Sequence, residues 1–176
     1  MNTTTNLVSL LIIDDNQGSL EFLSSALARE GVGILTSSDP EHGLDLVYTH
    51  RPQIVLTDLV MPKMSGLEVL ESIVEFDPAI DVILMTAHYT TETAVEAIRK
   101  GAADYLNKPI SLAVLRERLG ALIESALQRQ KFLQAEVDLE QAAHFGGMVG
   151  RSPQMWEMFS RIRRVAPHYG AATFST

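Results

Sequence analysis

Four short apolar runs in this sequence of 176 residues each lead into a residue type that can do chemistry. Leu7–Ile13 leads into Asp14-Asp15, Ile54–Thr57 into Asp58, Val82–Met85 into Thr86-Ala87, and Ala103–Leu106 into Asn107-Lys108-Pro109. If these runs are neighbouring strands, the side chains converge on one crevice. Three carboxylates crowded together repel, and one of them would stay protonated. A divalent cation removes the conflict, and an all-oxygen donor set suits Mg²⁺, which is held by one or two carboxylates together with phosphate oxygens and water. Lys108 adds a point positive charge and Thr86 a hydroxyl donor. These are the parts a transferring phosphoryl group needs, because that chemistry is mostly positioning and charge neutralisation. Taken singly, each signal is weak: an aspartate at a strand end is more often a cap or turn residue, a threonine there a surface residue, and Lys-Pro a turn. Their joint placement at four strand ends is what carries weight.

The intervening segments supply the elements that must position these groups. Ser19–Glu30 carries Leu20, Leu23 and Leu27 on one helical face and stops at Gly31. Val32–Thr36 reads as a further strand. Asp39-Pro40 opens a helix, with Asp as N-cap and Pro at the first helical position, and Leu44 and Val47 face inward. Ser65-Gly66-Leu67-Glu68 is a capping box for a helix running toward Phe76. Thr90 caps a helix through Lys100 that stops at Gly101, and Ser111 caps the last one. Five β-then-α units predict an α/β fold, a doubly wound, five-stranded parallel sheet with helices on both faces. Its ligand site lies beyond the carboxyl ends of the strands.

Composition bounds the function. There is no cysteine, so disulfides, thiolate metal sites and cysteine nucleophiles are excluded. With 14 basic and 22 acidic residues the formal charge is −8, a poor match to a nucleic-acid partner. Residues 1–120 hold 8 basic and 17 acidic side chains, residues 121–176 hold 6 and 5, which points to two regions with different jobs. No segment reaches the ~20 apolar residues of a membrane span. Leu7–Ile13 has no basic residue before it and ends in two aspartates, so it reads as a buried strand and not a signal peptide. A cytoplasmic location without membrane contact is the expectation. The five histidines (42, 50, 88, 144 and 168) show no metal spacing, and His88 alone falls near the crevice.

The last helix is unusual. From Ser111 only Gly120 interrupts it before Gly146. Leu112, Leu119, Ala126 and Leu133 recur every seven residues, with Leu115 and Leu122 at the companion position; Arg129 and Glu136 then weaken the seam. Residues 121–145 are polar on most faces, the mark of a helix that bridges domains or pairs with a copy of itself. The first half is expected to pack on the sheet, leaving the later turns for a modest homodimer through this helix and the linker. Gly146-Gly147 breaks the helix, and Met148–Thr176 is too short to be a domain.

Leu11-Ile12-Ile13-Asp14-Asp15-Asn16, Asp58-Leu59-Val60-Met61-Pro62-Lys63-Met64-Ser65-Gly66, Leu84-Met85-Thr86-Ala87 and Asp104-Tyr105-Leu106-Asn107-Lys108-Pro109 together resemble the receiver domain of two-component response regulators, over about residues 6–120. The resemblance implies a flavodoxin-like strand order 2-1-3-4-5. It implies that Asp58 is the phospho-acceptor. It implies that Asp15, Asp58 and the backbone carbonyl of Val60 bind Mg²⁺, with Asp14 helping through water. Lys108 would then contact the phosphoryl oxygens, and Thr86 and Tyr105 would form a switch pair, the hydroxyl moving to the phosphate and the ring turning inward behind it. A cis Lys108–Pro109 bond is also implied.

Phe145-Gly146-Gly147-Met148-Val149-Gly150-Arg151-Ser152-Pro153-Gln154-Met155 and Arg161–Pro167 resemble the opening of the AAA+ domain of NtrC-type, sigma-54-dependent activators. None of Lys63, Lys100, Lys108 or Lys131 stands in a G-x-x-x-x-G-K-[ST] phosphate loop. No ATPase or DNA-binding activity is therefore expected of this chain. Residues 170–176 depart from the apolar strand that the resemblance would place there. Arg161, Arg163 and Arg164 read as a solvated face, and Met155, Trp156 and Phe159 as core residues of that further domain. The expected organisation is a receiver over 1–124, a helical linker over 125–145 and an AAA+ stub over 146–176. The expected partner is a sensor histidine kinase. A hydrolase of the haloacid dehalogenase kind would need a second acid two residues after the first, and position 16 is Asn. A phosphate-independent interaction module would have no use for Asp14, Asp15, Asp58, Thr86 and Lys108 together.

Overall fold

The structure is a computed structural model that describes residues 8–87 and 90–143, with side-chain surroundings as far as residue 133. Its elements run β1 (Val8–Ile13), α1 (Gln17–Leu27), β2 (Val32–Ser37), α2 (Pro40–His50), β3 (Ile54–Asp58), α3 (Gly66–Phe76), β4 (Asp81–Thr86), α4 (Thr91–Arg99), β5 (Asp104–Asn107) and α5 (Leu112–Ala143). The strands form one sheet in the order β2-β1-β3-β4-β5, and every pairing is parallel. The α/β class, the doubly wound sheet and its order agree with expectation.

Strand side chains alternate between the two faces, and both faces are covered, so the strands read as unbroken apolar runs. Val8, Leu10 and Ile12 of β1 join Ile54, Leu56, Ile83 and Met85 on one face, under Leu20, Leu23 and Leu27 of α1 and Leu115, Leu119, Ile123 and Ala126 of α5. Leu11 and Ile13 join Val55, Val82, Leu84 and Tyr105 on the other, with Leu44 and Val47 of α2, Val69, Leu70 and Ile73 of α3, and Ala97 of α4.

The helix starts follow the local chemistry. Asp39 accepts hydrogen bonds from the backbone N–H groups of Glu41 and His42 and starts α2 with Pro40 behind it. Ser65 and Glu68 close a reciprocal capping box on α3, and Thr90 and Thr93 close another on α4. Two expectations are corrected. The first helix runs over Gln17–Leu27, not Ser19–Glu30: Asn16 takes the cap by accepting from the Ser19 N–H at 2.9 Å. The chain then leaves the helix at Ala28, so that Gly31 at φ +80° can turn it into β2. On α5 the fully buried stripe is Leu115, Leu119, Ile123 and Ala126, while Leu112 and Leu122 are only half-buried. A helix lying on a sheet follows the 3.6-residue period, which brings Ile123 inward in place of the seven-residue companion.

The chain divides into two compact units, Met1–Leu127 and Gln128–Thr176. The first holds the sheet and its helices. In the second, the described part is helix as far as Ala143, with Phe132 and Leu133 exposed. His88, His144, His168, Gly146-Gly147, the Phe145–Met155 motif, the three arginines and the apolar residues of the tail lie outside the described residues, as does residue 136 as a side chain. No helix among the described residues is long and apolar enough to cross a membrane.

Candidate functional site

The crevice forms where the chain leaves the carboxyl ends of four adjacent strands, β1, β3, β4 and β5. Ile13 pairs with Thr57 and Asp58 with Met85, so Asp14 and Asp58 emerge side by side. Thr86 pairs with Asn107, and the Lys108 N–H donates to the Thr86 carbonyl at 2.6 Å, which brings Lys108 into the same place from the sheet's edge strand.

Asp14 is fully buried. One of its oxygens accepts from the Asn16 N–H at 2.9 Å and the other from Lys108 Nζ at 2.8 Å. Lys108 also lies 3.1 Å from Asp58 Oδ2, so one ammonium bridges two carboxylates. The Leu59 N–H donates to Asp58 Oδ1 at 2.9 Å. Carboxylate oxygens of Asp14, Asp15 and Asp58 lie within 4.8 Å of one another, with Asp15 exposed and Asp58 partly buried. Val60 stands in the loop directly after Asp58 with its side chain turned out to solvent. Thr86 is fully buried at the end of β4. Tyr105 is buried on β5, and its hydroxyl lies 2.9 Å from Thr93 Oγ1 on α4. The Lys108–Pro109 bond is cis.

The electrostatics follow from burial. Desolvation pushes the Asp58 carboxyl above the usual aspartate range; Lys108 pulls it back, and the Asp14 charge adds to the rise. Burial alone would lower the Lys108 ammonium, but hydrogen bonds to Asp14 and Asp58 outweigh it and hold Lys108 above the usual lysine value. Three hard-oxygen groups around a small gap, with neither sulfur nor imidazole among them, match Mg²⁺ and not a softer metal.

Two features were invisible to pattern reading. Gly66 reads in the sequence as part of a capping box and as the end of the receiver-like stretch that starts at Asp58, and neither reading gives its steric role: a Cβ there would lie 2.2 Å from the Asp58 carbonyl oxygen and 2.9 Å from the Leu59 Cα. Glycine at 66 is what lets α3 start directly against the Asp58 backbone. Thr93 was not singled out at all, because the contact to Tyr105 exists only once β5 and α4 are packed together.

A carboxylate beside a fixed ammonium, at the open end of a parallel sheet, marks an acidic acceptor site for a charged group. The response regulator receiver domain model matches residues 10–120. The chain therefore belongs to the receiver-domain family of two-component response regulators. It is 36% identical over 160 residues to the transcriptional regulatory protein ZraR of Escherichia coli K12, covering 91% of this chain and 35% of that protein. It is 32% identical over 155 residues to the DNA-binding transcriptional regulator NtrC of Salmonella typhimurium, covering 88% of this chain and 32% of that one. The chain thus spans about a third of the length of the curated relatives it matches. Among solved structures, a response regulator receiver domain protein from Clostridium thermocellum matches with a TM-score of 0.62 and 32% identity, over 72% of this chain and 98% of that chain. A chain of the CheX-CheY-BeF3-Mg+2 complex from Borrelia burgdorferi matches with a TM-score of 0.62 and 30% identity, over 65% of this chain and 88% of that chain.

Proposed function

We propose that Asp58 accepts a phosphoryl group from a sensor histidine kinase and that the resulting change of conformation controls a sigma-54-dependent transcriptional activator. The observation that carries this reading is the Lys108 ammonium held at 2.8 Å from Asp14 and 3.1 Å from Asp58 at the open end of the sheet. In the transfer, an Asp58 carboxylate oxygen attacks phosphorus in line as the bond to the kinase imidazole breaks. The imidazole leaves with that electron pair and takes up a proton, and Asp58 becomes an acyl phosphate. Asp15, Asp58 and the Val60 carbonyl would hold Mg²⁺, with Asp14 contributing through water; when bound, the ion supplies charge neutralisation for the incoming phosphoryl oxygens. Lys108 trades one carboxylate partner for a phosphoryl oxygen. The Thr86 hydroxyl moves toward the new dianion, and Tyr105 fills the space behind it, which biases two packings of α4 and β5.

The chain acts in this reading as a cytoplasmic phospho-acceptor and not as a nucleotide-hydrolysing enzyme. Residues 1–124 form the receiver, 125–145 a linker through which two copies pair, and 146–176 the opening of an AAA+ domain; none of these contacts nucleic acid or membrane. The test is mass spectrometry after incubation with acetyl phosphate and Mg²⁺. A single phosphoryl adduct on Asp58 is expected, absent in Asp58→Asn and suppressed by a chelator. An adduct mapped to Asp14 or Asp15 in the unaltered chain would overturn the assignment. Lys108→Ala and Thr86→Ala should keep Mg²⁺ affinity and lose the conformational response. Loss of metal affinity as complete as that of Asp15→Ala would reverse the division of roles.

A further inference from the structure

The first turn of α4 holds a hydroxyl with four polar neighbours, three of them from Thr90 and one from Tyr105. Thr93 Oγ1 donates to the Thr90 carbonyl at 3.0 Å. The same oxygen accepts from the Thr90 N–H at 3.3 Å, which is one half of the α4 capping box. Thr90 Oγ1 returns the favour by accepting from the Thr93 N–H at 3.2 Å. A threonine hydroxyl has one proton and two lone pairs. Thr90 Oγ1 also lies 3.0 Å from Thr93 Oγ1, so the two hydroxyls of the capping box are within hydrogen-bond distance of each other. Tyr105 Oη lies 2.9 Å from the same Thr93 oxygen, a hydroxyl–hydroxyl hydrogen bond in which either group can donate. The capping box therefore fixes where the Thr93 oxygen sits, and that oxygen fixes where the phenol ends. Tyr105 itself is buried in the same apolar cluster as Ala97, one turn further along α4.

From this geometry we infer that Thr93 is a positioning residue of the switch: its oxygen, set by the α4 capping box, shares a hydrogen bond with the Tyr105 phenol and holds the ring inward, so that the ring and the first turn of α4 change state together. The inference rests on the reading of Thr86 and Tyr105 as the switch pair given above. One neutral hydrogen bond shifts a two-state equilibrium about fivefold. By linkage, a group that binds the inward state better loses apparent affinity by up to the same factor when the bond is removed.

The experiment uses the full chain labelled with fluorotyrosine, with the Tyr105 ¹⁹F signal assigned from Tyr105→Phe. It is titrated with beryllofluoride and Mg²⁺, the beryllofluoride standing in for a phosphoryl group. In the unaltered chain the Tyr105 signal moves as the site fills. Thr93→Val lowers the inward population and raises the beryllofluoride concentration needed at midpoint by about fivefold, and Thr93→Ser restores both. Tyr105→Phe weakens beryllofluoride binding to the same degree, and combining it with Thr93→Val weakens it no further, whereas a residue that merely caps α4 would give additive losses. A Tyr105 signal in Thr93→Val that tracks the unaltered chain at every beryllofluoride concentration, or additive losses in the double variant, overturns the role of Thr93 while leaving the switch pair in place. A Tyr105 signal in the unaltered chain that ignores beryllofluoride overturns the switch reading itself, and the role of Thr93 with it.

Discussion

The surroundings of Asp58 only partly support a charge on its carboxyl. Burial and the neighbouring Asp14 raise its carboxyl, and Lys108 offsets part of that rise. A carboxyl raised in the folded state binds its proton more tightly there than in the unfolded chain. Its contribution to stability is therefore neutral below the ordinary aspartate value of 3.8 and becomes a penalty as pH rises through the raised value. Asp58→Asn removes the penalty. Without metal, the variant should gain stability over the unaltered chain as pH rises from about 4 toward neutrality, read by thermal melts across pH. With Mg²⁺ the order should reverse, because a ligand that binds only the folded state stabilises it and the variant has lost one donor. Asp14, Asp15, Asp58, Thr86 and Lys108 were all legible, since each ends or follows an apolar run. The double engagement of Lys108 was not, because it depends on which strands are neighbours and on Asp14 having no solvent to turn to.

At the scale of elements, capping chemistry made α2, α3 and α4 readable nearly to the residue, because Asp39, Ser65 and Thr90 each satisfy backbone donors that have no partner within the helix. The first helix starts ahead of the Ser19 that the apolar spacing suggests because Asn16 caps it by accepting the Ser19 N–H. The α5 stripe was misread at Ile123 because a seven-residue count suits a helix pairing with another helix, and this half of α5 lies on a sheet. That difference can be measured. Ile123→Ala removes a buried side chain of the apolar cluster that α1 and α5 form with the sheet, and should cost about 2–5 kcal/mol in a denaturant melt. Leu133→Ala, at an exposed position, should stay within about 0.5 kcal/mol of the unaltered chain.

For the whole molecule, the two compact units make different demands on their apolar residues. In the first, the large apolar side chains of the sheet are inside. In the second, Phe132 and Leu133 are 66% and 59% exposed on neighbouring positions of α5, directly after the polar run Gln128-Arg129-Gln130-Lys131. A polar helix gains little from packing within one chain, and burial of such a pair against a second copy is the gain a homodimer would make. A seam on this helix would include Arg129, and a charged residue at such a position would keep that gain small. Sedimentation of the full chain should show a concentration-dependent dimer, and Phe132→Glu with Leu133→Glu should leave a monomer whose melting matches the unaltered chain at high dilution. A dimer that survives both changes would move the interface to the first unit.

The way α4 is attached has a consequence for how the fold breathes. Its one fully buried side chain is Ala97, whereas α1 fixes itself with Leu20, Leu23 and Leu27, and α3 with Val69, Leu70 and Ile73. A helix that packs on the core through Ala97 and the half-buried Ala94 gives up little apolar burial when it detaches. Amide hydrogens in 94–100 should accordingly exchange with solvent deuterium through local opening, far faster than those of β1, whose strand is flanked by β2 and β3 and exchanges only when the whole sheet unfolds. The element that carries Thr93 is thus the one the molecule can release while the strands under the acidic crevice stay paired.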